Sequence, residues 1–136
     1  MIHTEHNDVR KFQEKFEVPM AEKPSFLTEE MFQFRFKFMM EELKEFQMGH
    51  DAQDMHEMAD ALVDLCYVVH GTALMMGLPW QALWTEVQKK NMQKVKALHA
   101  GESKRKSKYD VIKPAGWTPP CHKTALGLGP WPTLKE

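Results

Sequence analysis

The sequence predicts an all-α fold: an antiparallel bundle of four main helices, then an irregular C-terminal arm, with the core completed by oligomerisation. Three observations carry this. Apolar residues recur at steps of three and four through most of the first hundred positions. The prolines in that stretch, Pro19, Pro24 and Pro79, fall between the periodic runs. After Gly101 the periodicity stops, and five of the eight prolines and two of the four tryptophans gather there. The boundary is expected near residue 100, with 1–100 as the helical domain and 101–136 as a linker and Pro/Trp-rich arm.

The first helix is expected from about His6 to Glu17, because Val9, Phe12 and Phe16 repeat at helical spacing and Pro19 stops the run. Thr28 is a good N-cap for a second helix, with Glu29 and Glu30 in the first turn, where carboxylates favour the helix dipole. The stretch from Phe32 to Phe38 alternates with period two, a strand signal. Helix is the better reading, because no turn residue separates it from the helix formers Met39 to Phe46. A helix from Thr28 to Met48, ended by Gly49, absorbs both. Its first half is apolar on nearly every side, more than a small monomer can cover, which points to an oligomer.

A third helix is expected from about Asp51 to Met76, with Met55, Met58, Ala59, Leu62, Val63, Cys66, Val69 and Ala73 as its apolar stripe. Gly77 ends it and Leu78-Pro79 turns the chain. A fourth carries Leu83, Val87, Met92, Val95 and Leu98 to about His99. The run Glu102 to Lys108 reads as charged and structureless, and Lys113 to Pro120 cannot be a helix interior. Tryptophan in such a tail usually docks somewhere.

The chain has 136 residues, 43% hydrophobic and 27% charged, the balance of one folded domain. A formal net charge of −1 gives no field that favours nucleic acid or an anionic membrane. The two cysteines, Cys66 and Cys121, have no partner at zinc spacing, and Cys66 reads as a buried free thiol. No disulfide framework is expected. No segment approaches the roughly 20 apolar residues that span a bilayer. The start lacks the regions of a signal peptide, so a cytoplasmic location is expected. The 11 methionines suit an adaptable core or an oligomer interface.

The chemistry concentrates in two acidic helix edges. Glu41, Glu42 and Glu45 lie at steps of three and four on the second helix, and Glu57, Asp60 and Asp64 do the same on the third. Eleven residues separate Glu45 from Glu57, enough to reverse the chain and make the two edges face each other. Carboxylates crowded this way repel, and a cation or protonation relieves them. A hard divalent ion such as Mg²⁺ suits a few carboxylates with water and phosphate oxygens. Glu-x-x-Glu alone is most often a solvated face. The second acidic edge, bordering an apolar stripe where unpaired carboxylates are costly, shifts the balance towards a metal site. For Asp64, a salt bridge to Lys90 or Lys94 is an equal alternative. A di-iron carboxylate bundle needs Glu-x-x-His, and none of the seven histidines follows a glutamate by three.

Glu41-Glu42-Leu43-Lys44-Glu45 followed by Glu57-Met58-Ala59-Asp60 resembles the Glu-Glu-x-x-Glu … Glu-x-x-Asp signature of MazG-like all-α nucleoside triphosphate pyrophosphohydrolases. The likeness covers about residues 8–98, and the gap between the two motifs is about one residue shorter than usual in the family. It implies cleavage of a nucleoside triphosphate between its α and β phosphates, with Mg²⁺ as cofactor and Mn²⁺ as a substitute. Glu42, Glu45, Glu57 and Asp60 would be the principal ligands. Glu41 would orient or deprotonate the attacking water, or bind an additional ion. Lys90, Asn91 and Lys94 would meet phosphate or sugar, and Asp64 would position one of them.

The arm Lys113-Pro114-x-Gly116-Trp117-x-Pro119-Pro120 is similar to that of phage-encoded members. There Lys113 and Trp117 would close over the nucleotide or only brace the oligomer. The phage MazZ-type members prefer dGTP and supply dGMP for 2-aminoadenine synthesis, which puts (d)GTP first. A house-cleaning or dUTP/dCTP-type enzyme of the same fold and a non-catalytic helical interaction protein are the alternatives. Nucleic-acid binding through Lys104 to Lys108 is weaker, because four basic residues in a polar stretch are usually a solvated linker. Family enzymes of this size usually complete the core as homo-oligomers, dimers or tetramers.

Overall fold

The computed structural model describes residues 4–136. It is mostly helical, with α1 (Glu5–Lys15), α2 (Glu29–Asp51), α3 (Met55–Met75) and α4 (Trp80–Asn91), then two short strands, β1 (Val95–Lys96) and β2 (Val111–Ile112), and a last turn of helix, α5 (Lys123–Leu126). The all-α expectation holds. The chain divides into two compact units: the residues up to Leu78 together with Gly129–Glu136, and Pro79–Leu128.

The first unit is built on the α2–α3 hairpin. Thr28 caps α2 by accepting from the Met31 N–H at 3.2 Å. The alternating phenylalanines sit on this helix as two i,i+4 pairs. Phe32 stacks on Phe36 with ring centroids 5.8 Å apart, and Phe34 lies 6.0 Å from Phe38. Helical pairing thus accounts for a pattern that mimics a strand.

Gly49 does not end α2, which runs on to Asp51. Its role is close approach: a Cβ there would lie 2.9 Å from Met58 Cγ, 3.0 Å from the Met58 nitrogen and 3.2 Å from Glu57 Cβ. The chain reverses over Ala52, Gln53 and Asp54, with Gln53 at φ 53°. Asp54 then caps α3 by accepting from the Glu57 N–H at 3.1 Å, so α3 begins later than the expected Asp51.

The core stripe of α3 also differs from expectation. Ala61, Val68, Gly71, Ala73, Leu74 and Met75 are buried, whereas Met55, Leu62, Val63 and Cys66 are exposed. Cys66 is therefore not a buried thiol. Small residues, Ala61, Gly71 and Ala73, alternate on the packed face with the larger Val68, Leu74 and Met75. The bulkier stripe is left uncovered by the single chain.

Arg35 straps the two helices together. Its Nε donates to Thr72 Oγ1 and its Nη2 to the Val68 carbonyl, both at 3.0 Å. Its guanidinium also lies 5.5 Å from the Phe34 ring centroid and 5.7 Å from that of Phe38.

The α1 helix packs on α3 through buried Val9 and Gln13, and Phe12 meets Tyr67 edge-on at 5.3 Å. The following loop is tied to the end of α3 by Ala21 N–H to Met75 O (3.1 Å) and Ser25 N–H to Met76 O (2.9 Å). Gly77 turns there at φ 65°, where a Cβ would strike the Lys23 carbonyl, so glycine is required on both counts. The last residues return to this unit. Phe26 exchanges backbone hydrogen bonds with Pro132 and Leu134, and Trp131 packs edge-on against Phe26.

By length and composition α3 would pass for a membrane span, with a mean hydropathy of 1.3 over its most apolar window. The expectation that no segment approaches that limit is thus too strong. A core helix meets the same criterion, and α3 carries Glu57, Asp60 and Asp64 along its length.

In the second unit α4 stops at Asn91, eight residues before the expected end. Lys90 and Asn91 carbonyls accept from Gln93 and Lys94 in a tightened last turn, and Val95 pairs with Ile112 across an antiparallel ribbon. The spacing of Met92, Val95 and Leu98 mimics a helix but serves this strand and its turns. Nor is the charged run that follows structureless. Asp110 accepts from Ser103 Oγ at 2.7 Å and from Arg105 Nη1 at 3.1 Å. These bonds, with the Ser103 hydroxyl first, hold the Asp110 carboxyl down at about 2.

Candidate functional site

The register of the α2–α3 hairpin decides which acids meet. Gly49 lies against Met58 and Arg35 bonds Val68 and Thr72, so the helices run antiparallel. That register sets Glu42 across from Asp64 and Glu45 across from Asp60. Glu42 is buried at 7% exposure, and Glu45 and Asp64 are half-buried.

The electrostatics confirm the meeting. Burial raises the Glu42 carboxyl to about 7, aided by a hydrogen bond to Glu45 and by the charges of Glu45, Asp64 and Glu41. Asp64 is raised too, by burial, by the charges of Asp60 and Glu45, and by a hydrogen bond to Asp60. A hydrogen bond between two carboxyl groups needs a proton on one of them. The set therefore falls into two acid pairs, Glu42 with Glu45 and Asp60 with Asp64. The second oxygen of Glu42, Oε2, is buried with no hydrogen-bond partner.

An orphaned, buried carboxylate oxygen beside three other carboxylates fits a hard cation, which would offset the crowded charge and satisfy that oxygen. Among the described residues no three His, Cys, Asp or Glu side chains converge to direct coordination distance. The arrangement is a paired acidic cluster rather than a closed cage, open to water and phosphate oxygens as further donors.

Glu57 stands level with Gly49, one turn beyond Glu45, and its side chain is exposed. Glu41 is exposed on the outer side of α2 in a shallow groove with Lys37, Met40 and Lys44, close enough for its charge to act on Glu42. The close approach at Gly49 sets the height of Glu57 on the site. Gly49→Ala is expected to push the hairpin apart there, lowering activity about tenfold and stability by about 1–2 kcal/mol. Steady-state assays and urea denaturation check both.

Within the second unit, four more of the residues singled out in the sequence come together. Trp117 donates its indole N–H to the Lys90 carbonyl at 2.9 Å. The ammonium groups of Lys94 and Lys113 lie 5.2 Å and 5.1 Å from its ring centroid. Lys90 Nζ donates to Thr118 Oγ1 at 2.9 Å. The arm thus folds onto the end of α4, with two ammonium groups at the indole and the third lysine tied to Thr118. Asn91 is exposed at the same helix end.

Three buried or half-buried polar features escaped the reading of the sequence. Arg35 sits in an apolar run and gave no periodic signal. Gln13 is buried with its Nε2 unpartnered. His70 meets His6, on another helix and 64 residues away in sequence.

A family model described as phosphoribosyl-ATP pyrophosphohydrolase matches residues 9–91, which include all the acidic residues above. No individual curated protein matches the chain. The match spans more than half of the chain and both acidic helix edges, in the all-α fold that the MazG-like resemblance implies; the chain belongs to the phosphoribosyl-ATP pyrophosphohydrolase family and is by that membership a nucleotide pyrophosphohydrolase.

Proposed function

We propose that the chain is a Mg²⁺-dependent enzyme that cuts a purine nucleoside triphosphate between its α and β phosphates, releasing the monophosphate and pyrophosphate. The observation that carries this reading is the buried, unpartnered Glu42 Oε2 at the centre of the paired carboxylates. Glu42, Glu45 and Asp60 hold the ion, with Glu57 completing the set from the next turn and Mn²⁺ able to substitute. Bound there, the metal neutralises the polyphosphate and lowers the pKa of coordinated water. Glu41, on the exposed edge, orients or deprotonates the attacking water or binds an additional ion. Asp64, one turn from Asp60 and hydrogen-bonded to it, keeps that carboxylate in place.

Lys90, Asn91, Lys94, Lys113 and Trp117 form the anion-binding patch for phosphate or sugar. The base is assigned from resemblance: (d)GTP first, on the likeness to phage MazZ-type members, with a role in phage nucleotide metabolism in the host cytoplasm. The family description favours phosphoribosyl-ATP as a second reading, cut at the same bond.

The working form is a homo-oligomer. Phe32, Phe36, Met40 and Leu43 on α2 and Met55, Leu62 and Val63 on α3 are all about half or more exposed. A second copy covers these stripes as a core would. Sedimentation is expected to give a dimer or tetramer, and a stable monomer would count against this assembly.

The substrate test is a panel of the dNTPs, the NTPs and phosphoribosyl-ATP with Mg²⁺, followed by pyrophosphate release. Turnover of dGTP and GTP at least tenfold above the pyrimidine nucleotides is the expected outcome. Preferential turnover of phosphoribosyl-ATP would establish the second reading. Orthophosphate release, or activity without metal, would sink both.

A further inference from the structure

The α1 and α3 helices meet at a pair of imidazoles. His6 Nδ1 and His70 Nδ1 face each other at 2.9 Å, both half-buried, with ring centroids 5.1 Å apart and planes tilted by 57°. Two ring nitrogens at that distance share one proton. A four-coordinate transition metal with N–metal bonds near 2.0–2.1 Å spans the same gap. Its two nitrogens sit about 2.8–3.4 Å apart, and a tetrahedral ion would set the ring centroids about 5.2 Å apart. The rings already stand at that separation, so they need to turn rather than move. Carboxylate charge is close by: Glu5 acts on His70, and Asp8, one turn from Glu5, acts on Tyr67 beside it. Among the described residues, the cation Arg10 acts on His6.

We propose that His6 and His70 form a two-histidine clamp for a borderline transition-metal ion such as Zn²⁺, Ni²⁺ or Cu²⁺, distinct from the acidic site, which staples α1 to α3. Imidazole nitrogen suits these ions, whereas Mg²⁺ prefers the oxygen donors of the carboxylate cluster. Burial lowers the pKa of both rings, which favours the neutral imidazole that such an ion binds. The metal bond closes a loop of 64 residues, so an ion bound there stabilises the folded chain and not the unfolded one. The proposal does not depend on the reading of the acidic site.

The test is calorimetric titration of the full-length protein with Zn²⁺ and Ni²⁺, with millimolar Mg²⁺ present to occupy the carboxylates. One ion per chain is expected, with a rise in Tm of about 5 °C. His6→Gln and His70→Gln should each weaken binding by about a hundredfold, whereas Glu42→Gln and His56→Gln should leave it intact. Wild-type affinity in either of the first two variants would overturn the clamp, as would absence of binding by the wild type below millimolar metal. If either variant fails to fold, Cu²⁺ bound to the wild-type protein gives the answer by electron paramagnetic resonance. Hyperfine coupling to two imidazole nitrogens supports the clamp, and its absence overturns it.

Discussion

Glu42→Gln is expected to lower nucleotide hydrolysis by about 10³-fold while raising the thermal stability of the metal-free protein. The two effects have one cause. Glu42 is buried beside Glu45, Asp64 and Glu41, so its negative charge is costly until a cation arrives. Glutamine keeps the shape and can still donate to Glu45, but it brings no charge to a metal.

The pH dependence has a definite sign. The carboxyl sits at about 7 when folded against an ordinary 4.5. Below pH 4.5 it is neutral in both folded and unfolded chains, and there is no penalty. As pH rises from 4.5 to about 7, the unfolded chain loses this proton more readily than the folded one, so stability falls and then levels off. Asp64, raised in the same way, adds to that trend. Thermal melts in chelator between pH 5 and pH 8 should show the wild type losing several degrees. The Glu42→Gln variant should lose less, and added Mg²⁺ should return most of the loss to the wild type only. A flat wild-type profile would mean that the carboxylates are not crowded in the folded chain.

Arg35→Ala carries the largest expected stability effect, a loss of about 3–4 kcal/mol by urea denaturation. The truncation removes the donors to Thr72 Oγ1 and the Val68 carbonyl and the cationic face packed beside Phe34 and Phe38. It also opens space beside Gly71, where a Cβ would lie 2.5 Å from Arg35 Nη2. Arg35→Met, which fills much of that volume without the charge, should cost about 1–2 kcal/mol. Neither variant touches the acidic cluster directly. Residual activity per folded molecule should therefore stay within a few-fold of wild type, which separates the strap from the chemistry.

Much of this molecule was legible in its sequence because helices declare themselves by spacing and caps. Thr28, the acids of the first turns and the glycine at position 77 placed the first three helices to within a few residues. The two acidic edges were visible because like charges at steps of three and four demand an explanation. The pairing of acids across the hairpin was hidden, because it depends on register, and Gly49 sets that register by contact rather than by ending a helix. The packed face of α3 was also hidden. Hydrophobicity favours Met55, Leu62 and Val63, but the packed face takes the small Ala61 and Gly71 and leaves those three side chains outside. Arg35 and the His6–His70 pair are long-range polar contacts, for which local sequence carries no periodic sign. The short β-ribbon after α4 won over helical spacing because Val95 found Ile112 across the chain, a tertiary choice.

The most direct measurement is calorimetric titration of the metal-free protein with Mn²⁺ at pH 7.5, in wild type and in Glu42→Gln. Saturable binding by the wild type that weakens at least tenfold in the variant, with the circular dichroism spectrum unchanged, is the result expected for an ion held at the orphaned Glu42 oxygen. Equal affinity in the two proteins would contradict a metal at this carboxylate cluster.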